Sequence, residues 1–306
     1  GEAGAGLDED AAGAGGEVNF PAGTYASDGL KVLYADQTWI GSRRNLVIIK
    51  RTNTTVENCL DVQADGFRLR GITIDGNRDG NPNVANGIAA FGYSLDLRDF
   101  AIIGTKHWGI TQTDAPLIML DFDISRTGQA AVFWRVSNGT WLLGPHIERG
   151  SINRANPADY IDSGCIAIFG LENKHVLAAR IVNVRMSCPI GFELNSGGVG
   201  LFYGERCIVQ GNEIIGGRIG ISLPGCRWCQ VISNNIVKSF SYHIEFAASA
   251  LDNIATANTI QGIPGVGQAF EISGTSHRNK IIGNPAISMK RAIRISNDCN
   301  NTIFWA

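Results

Sequence analysis

The sequence predicts an all-β chain, a single-stranded right-handed parallel β-helix of about nine to eleven coils of 22–29 residues. Three observations carry that expectation. First, the stretch from Cys207 to Phe246 says one phrase twice: "GNEI" followed by "GIS" returns 22 residues later as "SNNI" followed by "HIE". Second, an apolar column recurs at Ile88, Ile110, Val132, Ile166, Phe192, Ile221, Ile244, Phe270 and Ile293, at intervals of 22, 22, 34, 26, 29, 23, 26 and 23 residues. Third, each unit is built of short alternating segments such as "GISL", "HIEF" and "AIRIS", separated by Gly, Asn and Ser, which is strand-and-turn chemistry rather than helical periodicity.

In chain order, residues 1–25 form an opening segment with only a partial cap, because "LDEDAAGAGG" is too short and Gly-rich for a full capping helix. Residues 26–306 form the coils, all in one domain with no Pro-rich or Gly-rich linker. Each coil has room for about three short strands and three turns, and stacking buries one continuous apolar interior. The 34-residue interval after Val132 predicts a loop insertion at 151–164, "SINRANPADYIDSG". Upstream of the apolar column, Asn183, Asn212, Asn234, Asn258 and Asn284 take equivalent places, where amides stacked at about 4.8 Å hydrogen-bond from coil to coil. The last residues, "NNTIFWA", stop partway into a coil, so the chain reads as a piece of a larger protein or a stack capped by a neighbour. A leucine-rich repeat is excluded by the missing Leu frame, and a propeller by its longer blades.

Composition narrows the partners. With 26 basic and 28 acidic residues, a net charge of −2 and no run of like charge, a nucleic-acid partner is not expected. The longest apolar run, around "NLVIIK", is too short for membrane insertion. Seven cysteines cannot all pair, and "CRWC" lacks the second pair that a zinc site needs, so buried free thiols are expected and neither metal nor cofactor.

Two stretches resemble a known family. "GGEVNFPAGTY", Gly15 to Tyr25, followed by "LKVLYADQTWIGSRRNLVIIK", is similar to the opening of pectin-lyase-like superfamily proteins, and "GITIDGNRDGN" looks like a segment shared by alginate epimerases and phage tailspikes. The resemblance implies the β-helix fold, and its activities span lyases, hydrolases, epimerases and non-catalytic members. Its most similar members, phage tailspikes and depolymerases, imply a homotrimer acting on a bacterial surface polysaccharide. The expected location is extracellular or virion-associated, with folding in the cytoplasm and no signal peptide. The epimerase Tyr-Gly-Phe-Asp-Pro-His segment falls on "WGITQT", where Trp108, Thr111 and Thr113 replace the Tyr, Asp and His, which argues against that chemistry.

If the apolar column points inward, its neighbours point outward. Thr111, Phe133, Glu193, Ser222, Glu245, Glu271 and Arg294 then form one outward row, and Phe91, Thr113, Arg135, Phe169, Asn195 and Ser296 a parallel one. Carboxylates, amides, Arg and aromatic rings in such rows suit a sugar chain. The expected reaction is glycoside hydrolysis by paired carboxylates, with Glu193 and either Asp162 or Asp159 as acid and base. Arg135, Asn195, Tyr160, Glu245, Glu271, Thr111 and Thr113 are expected to contact substrate, Glu245 and Glu271 from adjacent coils. His243 shares the face of Glu245 in this reading. The alternatives are β-elimination from a uronic-acid polymer, with a base in "TKHWG" or at Arg135, and a non-catalytic receptor-binding or structural β-helix.

Overall fold

Short segments that alternate apolar and polar residues have one face to bury and no partner within their own coil. They bury it by stacking. The structure, a computed structural model, describes residues 13–52, 58–80, 85–137, 142–153, 164–188, 197–296, 298–300 and 302–305, and among them every named strand pairs with the equivalent strand of the next coil in parallel. An eleven-stranded sheet runs from Leu30–Val32 through Ile110–Thr113 and Ile219–Ser222 to Arg291–Ile295. A nineteen-stranded sheet supplies the other two faces, which are joined by the long strands Leu95–Ile103, Leu117–Ser125, His146–Asn153 and Arg180–Ser187. The apolar interior is continuous from Phe20 to Ile281. No helix among the described residues is long and apolar enough to cross a membrane.

Where the two faces of the larger sheet meet, the chain turns on one residue in the left-handed region. Asp99, Asp121, Arg149, Asn183, Gly211, Ser233, Ala257 and Gly283 occupy this corner in successive coils, with φ between 45° and 66°. Gly, Asn and Asp adopt that conformation at little cost, whereas Ala257 does so with a methyl group in the way. Asn183 is therefore a corner residue, one position out of the ladder it was expected to join, and Val184 stands at the ladder position.

The four other asparagines do form the ladder. Asn212 Nδ2 donates to Asn234 Oδ1 at 2.9 Å, Asn234 Nδ2 to Asn258 Oδ1 at 2.9 Å, and Asn258 Nδ2 to Asn284 Oδ1 at 2.8 Å. Each Oδ1 also accepts the backbone N–H of the coil before it, so these amides bond both to one another and to the backbone. Upstream, the same interior position carries Phe100 and Phe122, stacked at 5.8 Å, and then Gly150, where a Cβ would lie 2.3 Å from the Phe122 ring.

A second ladder, five residues earlier in each coil, was not foreseen. Asn253 Nδ2 donates to Asn279 Oδ1 at 3.0 Å, Cys229 N donates to Asn253 Oδ1 at 2.9 Å, and Cys207 N approaches Cys229 Sγ at 3.4 Å. Cys207 and Cys229 thus stand where Asn stands lower down, buried and free, as is Cys226.

The coils are less uniform than expected. Counted on the first inward position of the eleven-stranded sheet, Leu30, Leu60, Ile88, Ile110, Val132, Ile166, Val199, Ile221, Ile244, Phe270 and Ile293, three intervals of 30, 34 and 33 residues exceed the 22–29 range.

Candidate functional site: an aromatic groove with a carboxyl pair

That count corrects one member of the apolar column. Ile166 pairs with Val199, not with Phe192, and Val199 pairs with Ile221. The chain makes two long excursions in succession, ending at Gly164 and Gly197, whereas the sequence spacing suggested one. Gly200 and Phe202 consequently fill the outward places assigned to Glu193 and Asn195. Glu193, Asn195, Asp159, Tyr160 and Asp162 all lie outside the described residues.

The corrected rows outline a groove of about 900 Å³ running along the helix axis over the eleven-stranded sheet. Its floor is Ala167, Gly200, Ser222 and Glu245, residues that point outward by the two-residue period. One side is a line of rings: Trp108 against Phe133 at 4.9 Å, Phe133 against Phe169 at 5.5 Å, and Phe169 against Phe202 at 4.4 Å with planes 12° apart. Stacking of this kind follows from the coil repeat, which holds same-row side chains close to ring-stacking distance. Phe202 leans over Gly200, whose missing side chain leaves room for it: a Cβ there would sit 3.2 Å from Phe202 Cε2. Arg218 and Tyr242 line the opposite side.

Glu245 and Glu271 are register partners on the neighbouring strands Tyr242–Phe246 and Gln268–Ile272. The two carboxyl groups differ in surroundings. Ser222 Oγ donates to Glu245 Oε2 in a short hydrogen bond, and Glu245 is half-buried at the groove floor. Glu271 is only 4% exposed, its Oε2 has no hydrogen-bond partner, and the nearest cation is Arg294 Nε at 3.8 Å. Burial holds the Glu271 carboxyl above the ordinary glutamate value, Arg294 opposes that shift, and the Glu245 charge adds to it. A pair with such unlike environments can hold one proton and one charge at once.

The remaining predicted contacts are spread out. Arg135 is exposed at the end of Val132–Arg135, in register with Thr113 and Phe169. Thr111 and Thr113 face outward in the sheet but are buried, at 2% and 5% exposure, and sit upstream of the groove floor. His243 does not share the outward face of Glu245. It is fully buried, Nδ1 lies 2.9 Å from the Gln268 carbonyl oxygen, and burial lowers its pKa. Trp108 and Phe202 are groove residues that sequence reasoning did not assign to binding. Phe202 would have emerged from placing Val199 in the column, since it lies three residues beyond it, as Phe169 lies beyond Ile166.

Comparison with known proteins supports the architecture. Residues 169–305 match the family described as periplasmic copper-binding protein (NosD). No curated protein matches the chain. Among solved structures, the A-module of Azotobacter vinelandii mannuronan C-5 epimerase AlgE4 aligns with a TM-score of 0.50 at 14% identity, over 96% of this chain and 93% of that one. The catalytic domain of a GH87 α-1,3-glucanase in complex with nigerose gives 0.62 at 9% identity, over 95% of this chain and 63% of that one. Tailspike protein 2 from Escherichia coli O157:H7 bacteriophage CAB120 gives 0.62 at 12% identity, over 93% and 43%. This chain therefore spans less than two thirds of the glucanase and tailspike chains. Its fold is the right-handed parallel β-helix of the pectin-lyase-like proteins.

Proposed function

We propose that the groove binds a polysaccharide and hydrolyses its glycosidic bonds, with Glu271 as the acid and Glu245 as the partner carboxylate. One observation carries this reading: two outward carboxyl groups on adjacent coils, one buried and proton-retaining, the other held by a hydroxyl at the floor of an aromatic-lined groove. Glycoside hydrolysis needs such a pair, because the leaving oxygen must be protonated while negative charge faces the electron-poor anomeric carbon. Ring edges and small floor residues suit the apolar and hydroxyl edges of a sugar chain. The α-1,3-glucanase, with nigerose bound, supports this choice of substrate class on a similar coil stack. The same reading places the protein outside the cytoplasm or on a virion, as a homotrimer acting on a bacterial surface glycan.

Copper chemistry, raised by the description of the matched family, does not fit the described residues. Among them no three His, Cys, Asp or Glu side chains converge to hold a metal. Hydrogen bonding to Cys229 and burial raise the Cys207 thiol pKa, and burial raises that of Cys229, so both keep their protons rather than present thiolates.

The test is incubation of the purified protein with capsular polysaccharides, lipopolysaccharide glycans and α-1,3-glucan, reading reducing ends and the ultraviolet absorbance of unsaturated uronides together. New reducing ends without absorbance are expected. Glu271→Gln and Glu245→Gln should each lower kcat on the order of 10³-fold with the fold intact by circular dichroism. Absorbance instead of plain reducing ends would assign the groove to β-elimination.

A further inference from the structure

Resting on that hydrolytic reading, we propose that the reaction is a double displacement with retention of anomeric configuration, in which Glu245 becomes covalently glycosylated and Glu271 serves first as acid, then as base. The register decides this. Glu245 and Glu271 are direct Cα partners on neighbouring coils and both point outward, so about 4.8 Å separates their backbones. Retaining enzymes place their carboxyl groups about 5–5.5 Å apart, while inverting enzymes need about 6.5–9.5 Å to seat a water between acid and base. The outward row around the pair reads Gly200, Ser222, Glu245, Glu271 and Arg294, so no second carboxylate stands two coils from either glutamate in it. The wider spacing that an inverting pair requires is missing from this row.

The surroundings fit the two roles. The Ser222 hydroxyl occupies Oε2 of Glu245 and fixes the carboxylate, leaving Oε1 to face the substrate. In the first step Oε1 of Glu245 bonds to the anomeric carbon as the bond from that carbon to the leaving oxygen breaks. The leaving oxygen keeps the electron pair and takes the proton of Glu271. The new Glu271 carboxylate faces Arg294, whose Nε lies 3.8 Å away. In the second step a water oxygen bonds to the anomeric carbon and gives a proton to Glu271, and the ester to Glu245 breaks to restore its carboxylate. The sum is the addition of one water, with no oxidant or reductant. Esterification also neutralises Glu245, which removes its repulsion of the Glu271 charge and turns the acid into a base at the moment a base is needed.

The experiment follows cleavage of a responsive glycan by proton nuclear magnetic resonance within the first turnovers, before the product mutarotates. It is repeated with methanol as a competing acceptor, and acid-quenched Glu271→Gln protein is analysed by mass spectrometry. Retained anomers, methyl glycosides of the same configuration, and a glycosyl adduct on the peptide carrying Glu245 are expected. Inverted product would overturn this inference while leaving hydrolysis in place, and an adduct on another residue would overturn the role given to Glu245. Native protein that cleaves no glycan, or that yields unsaturated uronides, would remove the hydrolytic reading and this inference with it.

Discussion

Ala257 holds φ at 55° at a corner where Gly211 and Gly283 serve in other coils. The methyl group strains the left-handed conformation by about 1–2 kcal/mol, and glycine gives back part of that in unfolded-chain entropy. Ala257→Gly should therefore stabilise the protein by about 0.5–1 kcal/mol, read as a higher urea midpoint at unchanged slope. A lower midpoint would mean that the exposed Ala257 methyl makes contacts worth more than the strain. Glu271 makes a prediction about pH. Its folded-state pKa lies above the ordinary 4.5, so the folded protein keeps a proton that the unfolded chain has already lost. The stability tied to this group is whole below the ordinary value and is lost as pH rises through the folded one. Glu271→Gln should accordingly raise Tm relative to native protein in alkaline buffer and leave it unchanged in strongly acidic buffer. Equal effects at both ends would show that the carboxyl is not proton-retaining.

At the scale of the element, the interior of one corner column changes chemistry along the stack. Phe100 and Phe122 fill it by stacking, Gly150 yields its space to the Phe122 ring, and Asn212 to Asn284 fill it with amides bonded through the stack. Rings tolerate a neighbour that contributes nothing, as at Gly150, but a ladder amide does not. Removing Asn234 would orphan the Asn212 amides above it and the Val209 carbonyl that Asn234 Nδ2 serves. Buried groups left without partners cost about 1–3 kcal/mol each, so Asn234→Ala should destabilise by about 3 kcal/mol or more, measured by denaturant unfolding. A loss below about 1 kcal/mol would mean that water replaces the amide.

At the scale of the whole molecule, each coil touches only the coils beside it, and coupling falls off with distance along the stack. Hydrogen exchange in Asn234→Ala should therefore accelerate most in 208–215 and 254–261, the flanking strands, and least in Val47–Arg51. Uniform acceleration would instead show one cooperative unit.

The sequence by itself determined the strand chemistry, the coil stacking, eight of nine places in the apolar column and four of five in the asparagine ladder. Those follow from side-chain periodicity, which is local and repeats in phase with the coil. The second ladder was legible too, since Cys207, Cys229, Asn253 and Asn279 precede Asn212, Asn234, Asn258 and Asn284 by a constant five residues. Register across the two long excursions was not legible, because loop length shifts pairing without leaving a periodic mark. Only the tertiary structure decided that Val199, not Phe192, follows Ile166, and so that a glycine floor and a stacked Phe202 replace the expected Glu193 and Asn195. Burial was likewise beyond the chain's pattern. Glu245 and Glu271 look alike in sequence, and packing alone gave one a hydroxyl partner and the other a proton.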